Sequence, residues 1–544
     1  MSFNAWHQPW LPVVRGAIRT RISLREFYTD SSTYSGLGAG LSPLDHDALH
    51  RLLAAAGAVI VRELSRRDLA RHAKAGTFPA EGIATFEAAY AARFALAGHN
   101  PFLQRWDKTA LDIEAAAAKK KPTEAVLFPV AQLHPHEPGG SSAQWAVRRS
   151  ALDAADPAVL TLLLVTSFFH VRDGNGRDLW GGKAAKGSIA TWTTKPMAVF
   201  LLHPDNLGCT VYANTPREWI EGTSRGVVPM FLDHTAIPAD FITRPRGLYR
   251  CTYSRTLPLV YWHEGRPVGF TLGPTPYLVP TLAVTKSGDP DEKESLKALH
   301  LGDHTILVVQ TKTDTGTEDK PRAALSARLT STEGFDRWFR VENGITGDAG
   351  ALARWLQAPR ALEVPQRLHG WSIGVCSTRC DPYGGRLSAD WSTLPARAAG
   401  SDANVALTMQ VLTGFASDCR RKMLYPARLA TGDSKSPAFL ENTQQAFYTV
   451  LEDLLGDVLV RLASQTEGAL ADAALGRLLG EIAAEARGAF LAGTEPLAAV
   501  SIARVSNARA YYERAIGKLL ADSAYRPAGT NSPTAPSPTA PVPT

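Results

Sequence analysis

A chain of 544 residues is longer than one hydrophobic core organises, because cores stop growing near ~250–300 residues, so two or more domains are expected. Hydrophobic residues at 45% with 20% charged describe an ordinary soluble globular protein and exclude disorder for most of the length. The formal net charge of +6 tilts the chain weakly toward polyanionic partners, the plain alternative being solubility.

Strands open the fold: Trp10-Leu-Pro-Val-Val, a polar Arg-Gly turn, and Arg19-Thr-Arg-Ile-Ser-Leu alternate and turn as a β-hairpin. From Asp45 onward, Leu49, Leu52, Leu53 and Ala56 fall at the i, i+3, i+4 spacings of one helix face. A second helix, Ala80 to Ala97, gathers Phe86, Tyr90 and Phe94 on one stripe. Between Pro122 and Thr194 prolines and glycines punctuate a single helix, Pro157 to Phe169. There Gly174, Gly176, Gly181, Gly182 and Gly187, next to Arg172, Arg177, Lys183 and Lys186, let backbone amides approach an anion with cations alongside.

Short β-branched runs recur from Arg246 to about Leu329, at Leu257-Pro-Leu-Val-Tyr-Trp, Thr281-Leu-Ala-Val-Thr and Thr305-Ile-Leu-Val-Val-Gln-Thr, and read as mixed sheet. His369 to Cys376 and Arg386 to Trp391 read as two strands around a tight Asp381-Pro-Tyr-Gly-Gly turn. After Pro395 helical stripes take over: Phe447, Leu451, Leu454, Leu455, Val458 and Leu462 on one, Leu475, Leu478, Leu479 and Ile482 on another. A final helix from about Pro496 to Ala521 is expected to turn Ile502, Val505, Tyr512, Ile516 and Leu519 inward and leave Arg504, Arg509, Arg514 and Lys518 outside. Four such helices make a bundle. The Pro/Ser/Thr/Ala-rich tail repeats Ser-Pro-Thr-Ala-Pro and is expected to be disordered. The fold class is therefore α+β, with a large mixed α/β N-terminal domain of short strands and long loops over 1–398, a four-helix bundle over 399–526, and a tail over 527–544.

Cys209, Cys251, Cys376, Cys380 and Cys419 are too few and scattered for a disulfide framework, and their odd number fits a reducing compartment. Cys376 and Cys380 form the only close pair; no second Cys/His pair stands at zinc spacing, so buried thiols are expected. The first residues lack a basic segment followed by an apolar one, and the longest apolar stretch, Val159 to Phe169, is shorter than the ~20 residues of a bilayer span. A cytoplasmic location follows.

Catalytic signatures are missing: no phosphate-binding loop, no Gly-x-Ser-x-Gly elbow, no His-Glu-x-x-His, no dinucleotide fingerprint. Asp289-Pro-Asp-Glu-Lys-Glu reads as a solvated turn rather than a two-metal site. His134 and His136 are the most enzyme-like pair, but they sit in a proline-flanked loop without a nearby carboxylate, and exposed or phosphate-contacting histidines are expected. No catalytic residue, metal or cofactor is expected; the alternative is a metal-dependent nucleic-acid-processing enzyme using His134 and His136.

Several motifs resemble, in order and spacing over nearly the whole chain, the CasA family of large subunits of type I-E CRISPR Cascade complexes. They are Phe3-Asn-Ala-Trp-His-Gln-Pro-Trp-Leu-Pro-Val, Ser23-Leu-Arg-Glu26, Asn100-Pro-Phe-Leu-Gln104, Arg246-Gly-Leu-Tyr249, and Ala446-Phe-Tyr with the Glu452-to-Leu459 run behind it. The resemblance implies a non-enzymatic antiviral surveillance subunit that reads the short target-adjacent motif (PAM) in double-stranded DNA from the minor groove. It would help open the duplex into an R-loop for the guide and recruit a helicase-nuclease in trans. Its implied partners are the DNA target, the CRISPR RNA, and the backbone, small and guide 5′-end subunits, with no membrane.

Carried onto this chain, the family's glycine-rich reading loop falls on Gly174, Gly176, Gly181, Gly182, Lys183 and Lys186, a flexible connector being the alternative. The basic finger in the groove falls on Arg266 of Glu264-Gly-Arg-Pro, against an ordinary turn charge. The strand-separating hairpin, which carries glutamine in well-known members, maps to Arg379–Arg386; it holds no glutamine, leaving Arg379, Tyr383 or Arg386. The loop that contacts the neighbouring subunit and the guide maps to Gly139, Gly140, Ser141 and Ser142. The bundle's displaced-strand contact maps to Arg504, Arg509, Arg514 and Lys518, against a plain wet helix face.

Overall fold

The computed structural model describes residues 3–38, 40–98, 101–104, 130–134, 156–170, 198–204, 206–221, 228–232, 247–252, 256–263, 265–274, 308–313, 316–321, 341–342, 345–346, 355–364, 371–380, 387–395, 403–432, 438–464, 472–522 and 525. The chain divides into two compact units, Met1–Arg328 with Gly350–Ala399, and Leu329–Ala349 with Gly400–Thr544.

The first unit opens with β1 (Leu11–Arg15) and β2 (Ile18–Ile22), paired antiparallel from Leu11 against Ile22 to Arg15 against Ile18. Gly16, at φ +60°, takes the left-handed conformation the turn requires. Ser23 caps α1 (Leu24–Asp30), its hydroxyl accepting from the Glu26 amide. β3 (Gly36–Leu37) then pairs with the other edge of β1. Three more helices follow, α2 (Pro43–Ile60), α3 (Arg66–Ala75) and α4 (Ala80–Tyr90). The α4 helix stops at Tyr90, short of the expected Ala97, because residues Ala91–Phe94 tighten into a 3-10 turn. α5 (Pro157–Phe169) occupies the expected residues, with Pro157 in the first turn and the Asp156 carboxylate accepting from the Ala158 amide.

Shorter elements complete the chain order before the helical region. They are β4 (Ala198–His203), α6 (Leu207–Ala213), α7 (Gly247–Thr252), β5 (Thr256–His263), β6 (Arg266–Pro274), β7 (Val308–Thr313), β8 (Gly316–Pro321), β9 (Val341–Glu342), β10 (Ile345–Thr346), β11 (Ser372–Cys380) and β12 (Leu387–Pro395). β9 and β10 pair with each other and fall in the second unit.

The opening motif is a packing element. Trp6 is fully buried, with ring centroids 4.9 Å from Phe86 and 5.6 Å from Phe94, and the Trp10 indole donates to the Ala5 carbonyl at 2.8 Å. The Asn4 side chain donates to the Ala91 carbonyl and so fastens the N-terminal segment beside the 3-10 turn.

α2 carries a row of charged and imidazole side chains into this core. Ser42 and Asp45 form a capping box at its start. Asp45 also accepts from the Thr166 hydroxyl and stands 3.2 Å from His134 Nε2. Two residues on, the Arg51 guanidinium lies 2.8 Å and His170 Nε2 3.0 Å from Asp47 Oδ2, all three side chains being essentially inaccessible. Burial pushes the Asp45 carboxyl upward, but its bonds from His134, Thr166 and the Ser42 amide outweigh this and hold it at about 2. Burial raises the Asp47 carboxyl too, and Arg51 and His170 overcome it in the same direction. For the histidines burial itself acts downward: it depresses His50 to about 4, and His46 and His203 are lowered by burial as well.

The second unit is helical: α8 (Ala403–Lys422), α9 (Leu424–Thr431), α10 (Ala438–Ser464), α11 (Asp472–Ala498) and α12 (Ile502–Ala521). Four are long, and α9 is an additional short helix ended by Gly432 in the left-handed conformation. The expected stripes face inward, with Phe447, Leu451, Leu455, Val458, Leu462, Leu478, Leu479 and Ile482 buried. Tyr512 packs 4.5 Å from Phe490 and donates its hydroxyl to the Cys419 carbonyl. Two expectations for the last helix are corrected. Pro496 lies inside α11 and the last helix begins at Ile502, whose side chain is 73% exposed because its first turn projects past the packed layer.

The buried histidines set an acid limit on stability. His50 binds its proton near pH 4 when folded and at its ordinary 6.5 when unfolded, so the unfolded chain takes up the extra proton on acidification. The stabilisation is complete above pH 6.5 and erodes between 6.5 and 4, by roughly 3 kcal/mol at most for this group. The melting temperature of the full chain is expected to fall across that window. His50→Gln should flatten the slope, and an unchanged slope in the variant would remove His50 as its source.

Candidate nucleic-acid interface

Arg266 begins β6 at the tip of a hairpin. β5 and β6 pair antiparallel, His263 lies opposite Arg266, and the register shifts at Tyr261 and Trp262. Gly265, at φ +75°, makes the turn, and Gly265 and Arg266 are both exposed. Away from the tip the hairpin is buried at Leu257, Val260 and Phe270. Gln104 clasps it: the side chain is 3% exposed, its oxygen accepts from the Val260 amide at 3.0 Å, and its nitrogen donates to the Leu96 carbonyl at 2.8 Å. The preceding Leu103 takes a left-handed φ of +57°, and the Phe102 amide donates to Ala95. The Asn100-to-Gln104 motif thus aims one buried amide at β5, the strand paired with the one that Arg266 begins.

The second hairpin is built on a three-stranded sheet of order β12-β11-β4. β11 and β12 pair from Ser372 against Pro395 to Cys380 against Leu387, and β4 pairs along Ser372 to Ser377. Asn214, at the end of α6, brackets β4: its side chain accepts from the Leu202 amide at 2.8 Å and donates to the Leu202 carbonyl at 2.7 Å. Arg379 stands opposite Ser388 near the turn end of this ladder, while Tyr383 and Arg386 lie outside the described residues. Cys376, one of the expected pair, is a buried thiol, as are Cys209, Cys251 and Cys419, none of them in a disulfide.

His134 is not an exposed or phosphate-contacting residue. Its Nε2 stands 3.2 Å from Asp45 Oδ1 and 3.3 Å from Ser42 Oγ, with the side chain 15% exposed. The carboxylate that the local sequence lacked comes from the α2 capping box, 89 residues earlier. Ser42-Pro-Leu-Asp45 before an apolar helical stripe was the available signal for that box, though not for its partner. His136, the loops at Gly139, Gly140, Ser141 and Ser142, and Gly174, Gly176, Gly181, Gly182, Lys183 and Lys186 all lie outside the described residues. Among the described residues no group of three or more His, Cys, Asp or Glu is placed to hold a metal ion, and no helix is long and apolar enough to cross a membrane.

On α12 the four cations differ. Arg504, Arg514 and Lys518 are exposed, the Arg504 guanidinium packing against Gly432 and that of Arg514 lying 6.0 Å from the Tyr511 ring centre. Arg509 is half-buried and turns back onto α11, donating to the Thr494 hydroxyl and the Leu491 carbonyl, each at 3.0 Å. It works as a clasp between two helices.

Removing the Gln104 clasp by Gln104→Ala would leave the Val260 amide buried without its acceptor, a loss of roughly 1–3 kcal/mol. Hydrogen exchange at Val260 is expected to accelerate while amides of α8–α12 keep their rates. Unchanged exchange at Val260 would show that the clasp does not hold the strand.

Residues 4–251 match the family model described as CRISPR-associated protein Cse1. No curated protein matches the chain in sequence. Among solved structures, Cse1 from Acidimicrobium ferrooxidans is 16% identical with a TM-score of 0.64, covering 96% of this chain and 98% of that one. CasA (Cse1) of Thermus thermophilus is 15% identical at a TM-score of 0.62, covering 96% and 99%. A chain of a CRISPR RNA-guided surveillance complex is 16% identical at 0.64, covering 95% and 99%. Identities this low carry the fold alone. Residues 4–251 thus resemble the CasA/Cse1 family in sequence, and the chain shares the fold of CasA/Cse1 structures along nearly its whole length.

Proposed function

We propose that this chain is the large subunit of a type I-E Cascade complex, which reads a PAM in duplex DNA, helps separate the strands for guide pairing, and recruits a helicase-nuclease for antiviral defence. The observation that carries the reading is the fold, shared over 95% of this chain with a chain of a CRISPR RNA-guided surveillance complex. The exposed Arg266, on a hairpin clasped from behind by Gln104, supports it locally.

A guide RNA reads sequence by base pairing, which leaves the protein a short motif and the duplex opening. The minor groove displays few differences between base pairs, so reading it rewards a fixed, narrow cation over a set of base-specific side chains. A hairpin turn with an arginine one residue after a glycine has that shape. The loop residues Gly174, Gly176, Gly181, Gly182, Lys183 and Lys186 would add backbone approach and phosphate contacts. Arg379, Tyr383 and Arg386 would supply the wedge at the second hairpin, its root held by β4, and Gly139, Gly140, Ser141 and Ser142 the contact to the neighbouring subunit and guide. Arg504, Arg514 and Lys518 would face the displaced strand, with Arg509 supporting the helix that presents them.

The metal-enzyme reading loses its main residue, because His134 is engaged by Asp45 and Ser42. Purified protein with Mg²⁺, Mn²⁺ or Zn²⁺ and labelled DNA is expected to give no cleavage; turnover abolished by His134→Ala would reverse the choice. For the proposed role, the test is the reconstituted complex with guide RNA and a duplex that carries or lacks the motif. Arg266→Ala is expected to weaken binding to the motif-bearing duplex about tenfold or more while changing the other little. Equal loss on both would make Arg266 a general phosphate contact.

A further inference from the structure

The second unit presents a feature that neither the sequence patterns nor the family match singled out. Tyr425 on α9 and Tyr511 on α12 are 53% and 41% exposed, and their ring centres stand 4.9 Å apart at an interplanar angle of 53°. α9 and α12 pack side by side: Leu429 and Ala430 meet Val505 and Ala508, and Gly432 meets the Arg504 guanidinium at the far end. This fixes the backbone beneath both tyrosines. Tilted rings at this separation do not cover each other's faces, so aromatic surface remains open to solvent.

Cations flank the pair on both helices. Along α12, Arg504, Tyr511, Arg514 and Lys518 recur at helical spacing on one stripe, and Arg514 already lies against Tyr511. Along the end of α8 and α9, Arg421, Lys422, Tyr425 and Arg428 do the same. Of the carboxylates near in sequence, Glu513 is turned to Arg487 at 2.8 Å, and Asp418 pairs with Arg421 at 2.6 Å, leaving Lys422, Arg504, Arg514 and Lys518 as the main cations of the face. Burying two tyrosines in the bundle would have been the ordinary solution for rings of this size. Leaving them exposed beside five exposed basic side chains matches the chemistry that holds an unpaired strand, aromatic faces for bases and cations for the phosphates between them. A duplex hides its base faces and has no use for such rings.

We propose that Tyr425 and Tyr511, framed by Arg421, Lys422, Arg504, Arg514 and Lys518, form a base-stacking platform for single-stranded DNA. The platform rests on the proposed displaced-strand role for the source of that strand, and it adds stacking to a contact so far assigned to charge alone.

The test uses the full-length chain and two labelled probes, a single-stranded oligothymidine and an abasic deoxyribose-phosphate oligomer of the same length, with binding followed by anisotropy at two salt concentrations. Wild type is expected to prefer the base-bearing probe. Tyr425→Ala with Tyr511→Ala should lower binding of that probe by about ten- to a hundredfold, leave the abasic probe unchanged and so erase the preference, whereas the double Phe variant should keep it. Arg514→Ala with Lys518→Ala should weaken both probes and reduce the salt slope. Both rings are half-exposed, so an unchanged melting temperature is expected for all variants and serves as the folding control. A wild type indifferent to bases, or a double Ala variant that retains the preference, would overturn the platform, as would an Ala pair that left DNA binding intact and instead broke assembly with another protein subunit. Those failures, with motif-dependent duplex binding preserved in the reconstituted complex, would leave the broader function standing. Loss of motif dependence with the base preference intact would do the opposite.

Discussion

Two carboxylates on one helix, taken out of water, decide much of how the first unit closes. Asp45 and Asp47 of α2 can remain charged in the interior only with partners in place, since a buried charge left alone costs several kcal/mol. Asp47 finds Arg51 on its own helix and His170 at the end of α5; Asp45 finds Thr166 of α5 and His134 of the 130–134 segment. Such partners are exacting in distance and direction where apolar contacts are permissive, so α2, α5 and the short segment are held in one relation. A hydrophobic row in the same place would have packed equally well with less discrimination between registers.

Local features of this fold were legible in the sequence, and distant pairings were not. The β1–β2 hairpin followed from alternation and an Arg-Gly turn, and α5 was bounded by Asp156 and Pro157 at one end and the close of an apolar run at the other. The strand pair flanking Asp381-Pro-Tyr-Gly-Gly was readable because β-branched runs met a turn sequence. By contrast, Gln104 and Val260 are 156 residues apart, and nothing local tells that a buried amide will choose that strand. Ile502 misled because apolar periodicity extends to the first turn of α12, where no second helix covers it. Arg509 misled for the reverse reason: its position on the wheel is peripheral, but a long side chain bends back to satisfy oxygens on α11.

The two hairpins and the helical unit suit different kinds of contact. Arg266 sits at the tip of a hairpin whose body is buried and whose other strand is hydrogen-bonded by Gln104, a geometry in which the backbone presenting a side chain loses little freedom on binding. The α12 face instead spreads several long, flexible cations along a helix, which fits a polymer whose exact register does not matter. Under the proposed function, specific and unspecific grip would fall to separate parts of one chain.

The downward shifts along α2 also bear on how the interior would respond to a polyanion at the surface. With the Asp45 carboxyl near 2 and the His50 imidazole near 4, both sit several units from neutrality on the same side, one ionised and one uncharged. A neighbouring phosphate array raises the proton affinity of nearby groups, but a rise of one unit at either site leaves its occupancy at neutral pH essentially as before. These two groups are therefore buffered by distance on the pH scale, and the negative field of a docked nucleic acid can pass over them without drawing a proton inward.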